Sequence, residues 1–152
     1  MKKENKKIAI LTIFLGIIDQ ISKIWIILIN KEIPIFQTGI VLRIVEKENI
    51  DVTNNITHIL IAIIAVIVMV RYITSNNQFI RKESKIILSF GIAGIISNSI
   101  DRVIRGNVVT FIDFGKNITL NLSYIYLIIA WVGFIIILLK NSTKGVGEKW
   151  KS

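Results

Sequence analysis

Residues 8–29 read IAILTIFLGIIDQISKIWIILI, a run of helical length whose only charges are Asp19 and Lys23. A bilayer core takes about 20 apolar residues to cross as a helix, and it penalises every unpaired charge and unsatisfied backbone group. Strands of a membrane barrel are shorter and alternate apolar with polar residues, which this run does not do. The stretch therefore predicts a spanning helix with an internal pair of opposite charges, spaced i, i+4 on one face. Working outward, three further apolar stretches follow, and together the four predict helices at about 8–29, 52–73, 85–104 and 118–139. The third is short, and its outer end runs into polar residues around Asn98 and Asp101.

Composition agrees with the pattern. The chain has 152 residues, of which 53% are hydrophobic, and a formal charge of +9; its mean hydropathy is +0.65. A soluble core of this length could not hide so much Ile, Leu and Val, so a large water-exposed domain is excluded. The expectation is an all-α membrane fold, one integral membrane domain over residues 1–152. The absence of cysteine excludes disulfides, thiolate metal sites, a cysteine nucleophile and a lipidated cysteine on this chain. No metal or other cofactor is expected.

The charges divide by side. Twelve cations fall on one: Lys2, Lys3, Lys6 and Lys7, then Arg71, Arg81, Lys82 and Lys85, then Lys140, Lys144, Lys149 and Lys151. Six fall on the other: Lys31, Arg43, Lys47, Arg102, Arg105 and Lys116. Glu4, Glu83 and Glu148 accompany the twelve, whereas Glu32, Glu46, Glu48, Asp51, Asp101 and Asp113 accompany the six. The two faces carry +9 and 0, which predicts both termini in the cytoplasm. The same distribution explains the basic charge without nucleic acid, because no cationic segment has the clustered, aromatic-interleaved form of a nucleic-acid face. KKENKK before an apolar run also resembles a secretory signal peptide, but no small-residue cleavage site follows Gly16, so an uncleaved anchor is expected.

The first outer connection contains Ile33–Val45, rich in Ile and Val with Pro34 and Gly39, and the third contains Val108, Val109, Phe111 and Ile112. Both suit short strands, so a small β-rich cradle from these two loops is expected beside the helices.

Ionisable groups at membrane depth are costly, and each needs a partner or a function. Asp19 and Lys23 are expected to pair, with Gln20 bonded to a neighbouring helix; direct ligand contact is the other reading. Ser97, Asn98, Asp101 and Arg102 form a polar cluster, most simply with Asp101 salt-bridged to Arg102, and substrate binding is the alternative. Asn121 carries the same two readings. His58 is expected to be structural or interfacial, and Trp25, Trp131, Trp150, Tyr72, Tyr124 and Tyr126 suit interface belts or helix packing.

Taken in order, these residues carry a family likeness. Asp19-Gln20-Ile21-Ser22-Lys23 lies in the first helix and Asn98-Ser-Ile-Asp101-Arg102 ends the third. Gly106-Asn-Val108-Val109-Thr110-Phe111-Ile-Asp113-Phe114 and Leu120-Asn121-Leu-Ser123 lead into the fourth. The set resembles the lipoprotein signal peptidases, signal peptidase II, over nearly the whole chain. That resemblance implies a four-helix membrane aspartyl endopeptidase of the bacterial cytoplasmic membrane. Its members cleave the signal peptide of diacylglyceryl-modified prolipoproteins just before the lipidated cysteine. Such chemistry needs two facing carboxylates, one ionised to activate water and the other protonated to polarise the scissile carbonyl.

In the family pattern the first acid lies in a Val-x-Asp-Phe-x-Asp stretch and the second follows Phe-Asn-x-Ala. Here Thr110 and Tyr124 hold those positions. The family's Asn-x-Gly-Ala-Ala-Phe stretch is also absent, the corresponding residues reading Val45-Glu46-Lys47-Glu48-Asn49-Ile50-Asp51. A phenol donates a hydrogen bond but is not an easily ionised base at neutral pH, and a threonine needs a strong general base before it attacks. From Phe114 onward the only acid is Glu148, so the fourth helix brings no carboxylate to the site. Asp101 and Asp113 are the acids that could survive there. Asp19, Lys23, Asn98, Arg102 and Asn121 are expected to bind, with membrane lipid and a lipoprotein signal peptide or another apolar peptide as partners. The leading expectation is a homologue that binds without cleaving. The alternatives are an active peptidase with a rearranged site such as Asp101 with Asp113, and a structural or transport-like bundle with only architectural likeness.

Overall fold

The computed structural model describes residues 3–35, 39–45, 52–74, 82–116 and 118–149. Expectations placed on Lys2, Arg81, Trp150, Lys151 and residues 46–51 lie outside them. The elements run α1 (Lys3–Ile29), β1 (Ile33–Ile35), β2 (Ile40–Val45), α2 (Val52–Thr74), α3 (Lys82–Arg105), β3 (Thr110–Asp113), β4 (Thr119–Leu120) and α4 (Leu122–Lys149). The first three helices are long and apolar enough to cross a membrane, and α4 contributes a shorter apolar stretch, Leu122–Ile137.

Three boundaries differ from the sequence expectation. The fourth helix starts at Leu122 rather than near 118, because Thr119 and Leu120 pair with Asp113 and Ile112 as a fourth strand. The outer helices also overrun their apolar cores, α1 starting at Lys3 and α4 reaching Lys149; in α1 the added turn is mainly Lys and Glu, which propagate a helix nearly as well as Leu.

The four strands form one antiparallel sheet in the order β1-β2-β3-β4. Ile33 pairs with Leu42, and Val41 with Asp113 and Val45 with Thr110, across a register shift between Leu42 and Val45. The expected pairing of the first and third connections is therefore present as a small sheet. Gly106 ends α3 with φ of 75°, a left-handed conformation that glycine reaches without steric cost. Its N–H donates to the Arg102 carbonyl at 3.2 Å, and its own carbonyl accepts from the side chain of Asn55 in α2.

Helix α3 is the hub of the packing. One apolar cluster joins Ile8 and Ile73 to Leu88 and Ile92. A second joins Leu15, Ala93 and Tyr126, with Phe90 and Tyr126 edge to face at 5.8 Å. Along α3 and α4 the backbones approach closely: a Cβ built on Gly94 would stand 2.6 Å from the Ser123 carbonyl oxygen, and one on Gly133 would stand 2.8 Å from Ile87 Cδ1. Small residues at such contacts let helices interlock where no hydrophobic effect drives them together. On α2, by contrast, Leu60, Ile64 and Val68 stand exposed, as a lipid-facing helix requires.

Candidate functional site

Polar side chains from α1, α3 and Asn121 meet backbone groups of Val109, before β3, and of Ser123, in the first turn of α4, in one buried cluster. Its centre is Lys23, fully buried. The Lys23 Nζ lies 2.5 Å from Asp19 Oδ2 and 2.7 Å from Asp101 Oδ2, and it donates to Asn98 Oδ1 at 3.2 Å. The i, i+4 spacing on α1 makes the first contact; the other two require α3 to pack against α1.

Asp19 reaches onward to α4. Its Oδ1 accepts the backbone N–H of Ser123 at 2.8 Å, and its Oδ2 accepts the Ser97 hydroxyl at 2.6 Å. Ser123 lies in the first turn of α4, where unsatisfied N–H groups and the helix dipole both favour a carboxylate. Asp101 is held as firmly. Its Oδ1 accepts from Arg105 at 2.5 Å and from Gln20 at 3.1 Å, and its Oδ2 accepts the Val109 N–H at 3.3 Å. Two formal charges of each sign, from Asp19, Asp101, Lys23 and Arg105, thus close on one another.

Asn121 joins this core to the sheet and caps α4. Its Nδ2 donates to Asn98 Oδ1 at 3.0 Å and to the Val109 carbonyl at 2.8 Å. Its Oδ1 accepts the Tyr124 N–H at 2.8 Å, an N-cap bond of the kind that stabilises a helix by about 1 kcal/mol. Asn98 and Asn121 therefore support one another and Lys23.

The sequence expectation for Asp101 needs correction: its cationic partners are Lys23 and Arg105, not its neighbour Arg102. Successive helical residues point about 100° apart, whereas 101 and 105 share a face. Nor does Arg102 join Asn98. Its Nε is buried without a hydrogen-bond partner, as are Thr110 Oγ1, Thr119 Oγ1 and Ser123 Oγ. Gln20 does bond the neighbouring helix, donating to Ser97 Oγ at 2.9 Å as well as to Asp101. Thr110 is fully buried on β3 and Tyr124 half-buried on α4, and both neighbour the link made by Asn121.

Asp113 sits in a different setting. Arg43 on β2 donates to its Oδ2 from Nε at 2.8 Å, and the same guanidinium is 2.9 Å from Glu32. The Gly115 N–H donates to Asp113 Oδ1 at 2.8 Å. These contacts, the Gly115 N–H first and Arg43 second, hold the Asp113 carboxyl below the usual aspartate range. Glu32 and Asp113 in turn raise the Arg43 guanidinium. Asp113 and Asp101 share no hydrogen-bonding partner. Sequence reasoning missed the Arg43–Asp113 pair, although antiparallel pairing of the two loops puts Arg43 diagonal to Asp113. His58 is exposed and bonds only within its helix, to the Asn54 carbonyl. Trp25 and Trp131 are exposed. Among the described residues, no group of three His, Cys, Asp or Glu side chains is placed to hold a metal ion.

The fold as a whole is similar to that of solved bacterial membrane enzymes. One, determined in meso at 2.3 Å resolution, superposes with a TM-score of 0.79 and 25% identity over 91% of each chain. Another, determined in meso at 1.9 Å, gives a TM-score of 0.78 and 26% identity over 89% of this chain and 94% of that one. Residues 11–140 match the family described as signal peptidase (SPase) II, and the chain belongs to that family. A lipoprotein signal peptidase of Bifidobacterium longum subsp. infantis is 33% identical over 85 residues, 52% of this chain and 46% of the relative, so the match spans under half that relative's length.

Proposed function

We propose that this chain is a signal peptidase II homologue that binds an apolar peptide or lipopeptide in the bilayer without cleaving it. The observation that carries this reading is the fate of the carboxylates. The two positions that would bear the catalytic pair hold Thr110 and Tyr124. The two acids in the buried core are each engaged by cations and donors. Asp19, Lys23, Asn98 and Asn121 then form the scaffold of a binding region, with Arg102 beside it carrying an unsatisfied donor. The name of the matched relative favours a lipoprotein signal peptide as the bound segment, with membrane lipid around it.

The accompanying topology is a single membrane domain of four spans with both termini in the cytoplasm and the sheet on the outer face of a bacterial cytoplasmic membrane. The +9 against 0 division of charge supports it. A rearranged catalytic pair of Asp101 and Asp113 has little in its favour. An aspartyl pair needs one member protonated, and Asp113 is held ionised by Arg43 and Gly115, while Asp101 faces Lys23 and Arg105.

Purified protein incubated with a diacylglyceryl-modified prolipoprotein should retain the substrate and release no signal peptide. Installing Thr110→Asp and Tyr124→Asp together should restore cleavage if the remaining pocket is intact. Cleavage by the unaltered protein that disappears on Asp113→Asn would overturn the reading.

A further inference from the structure

The small sheet is amphipathic. Its register puts Ile33, Leu42, Ile112 and Leu120 in one row across the four strands, and directly paired residues point to the same side of a sheet. Two residues further along β3, Phe114 donates its N–H to the Ile118 carbonyl, and this pair extends the same side. None of the six is buried; Phe114 is 44% and Ile118 57% exposed. The alternate row, Pro34, Val41, Asp113 and Thr119, faces the other way. Glu32 and Arg43 are also out of step with the apolar row, so the ion pairs joining Arg43 to Glu32 and Asp113 lie on that second side.

We propose that the apolar side of the sheet lies in the outer leaflet of the bilayer, with Lys31 and Lys116 reaching lipid phosphates at its edges. The outer placement rests on the topology proposed above; the contact with lipid does not. Residues 30–32, 106–109 and 121 are all that separate the strands from the ends of α1, α3 and α4. The longest of these connections spans at most about 14 Å extended, which holds the sheet where the helices leave the membrane. Trp25, exposed one turn before the end of α1, is the kind of residue that marks that level. An amphipathic element held there turns its apolar side to the acyl chains and its charges to water, as an interfacial helix does. Lys31 and Lys116 are both exposed, and long cationic side chains at such a border reach outward to anionic headgroups. The six residues of the apolar side offer no polar side chain to orient a peptide, whereas lipid needs only apolar area. Seated in this way, the sheet fixes the depth of the polar cluster to which Val109 and Asn121 connect it.

The chain has no cysteine, so Phe114→Cys, Ile118→Cys and Pro34→Cys each place a single nitroxide label on the full-length protein. The probe is a vesicle of phosphatidylglycerol and phosphatidylcholine, and the readout is collision of the label with oxygen, which dissolves in lipid, and with a nickel chelate, which stays in water. Labels at 114 and 118 should collide with oxygen and lose access to nickel, while the label at 34 keeps it. Adding Lys116→Glu to Ile118→Cys should return nickel access at 118. Nickel that reaches 114 and 118 as freely as 34 overturns the proposal. Protection that appears only when a lipidated signal peptide is added assigns the face to peptide, and protection that vanishes on dilution in excess lipid assigns it to a second copy; either result overturns it too. Topology is read separately with a membrane-impermeant maleimide on spheroplasts. Labelling of Pro34→Cys only after lysis refutes the outer placement and leaves the contact with lipid standing.

Discussion

Two ionic clusters in this molecule use the same groups in opposite surroundings. In one, Lys23 lies between Asp19 and Asp101, all three at 0% exposure. In the other, Arg43 lies between Glu32 and Asp113 on the sheet, with the arginine side chain 46% exposed and Glu32 67% exposed. The contact distances are nearly equal, so distance does not distinguish them. What differs is the alternative open to each charge when a partner is removed. Around Arg43 water takes over, whereas around Lys23 nothing does, and an uncompensated buried charge is among the most destabilising features a fold can carry. The inner cluster therefore fixes how α1, α3 and α4 meet, while the outer one trims the sheet.

The sharpest way to break that comparison is Lys23→Met, which keeps the apolar stem and leaves two buried carboxylates facing each other. It should cost about 3–5 kcal/mol, read as a large drop in the thermal midpoint or failure to recover folded protein. A tolerated Lys23→Met would mean the inner cluster is no more than a surface pair. Gly94→Ala comes next. Its Cβ would press on the Ser123 carbonyl, which is backbone and cannot swing aside, so α4 must shift from the residue whose N–H serves Asp19. About 1–3 kcal/mol is expected, together with weaker peptide binding, while Gly16→Ala, in the interior of α1 where a Cβ meets nothing within 4 Å, should leave binding unchanged and stability unchanged or slightly raised.

The outer cluster should respond least, and to solution conditions. Because folding lowers the Asp113 carboxyl below the aspartate reference of 3.8, its contribution is present above that value and fades as pH falls through the lower folded value. The midpoint difference between the unaltered protein and Asp113→Asn should accordingly be small at neutral pH, shrink under acid and shrink further in high salt. A difference that grows on acidification would reverse the assigned shift.

Much of this was written plainly in the sequence. The four apolar runs became the four helices, since apolar length is a local property that needs no partner to be read. The Asp19–Lys23 pair was legible for the same reason, both ends lying on one helix face. Arg105 was available too, four residues after Asp101, yet adjacency in sequence suggested Arg102 and helical periodicity overruled it. The start of α4 was not legible, because Thr119 and Leu120 become strand only once β3 lies beside them. Arg43 with Asp113 was hidden for the same reason, joining loops 70 residues apart.

By itself the sequence determined the class of fold and the spacing of its charges, which are facts of composition and order along one chain; that Thr110 and Tyr124 stand where acids are expected is what its resemblance to the family pattern implies. Only the tertiary structure decided which charges neutralise one another, that Asp19 receives the first turn of α4, and that Thr110 and Ser123 are sealed from solvent with their hydroxyls unpaired. Those are matters of which helix faces which, and a buried charge or hydroxyl takes its energetic meaning from the neighbours that exclude water from it.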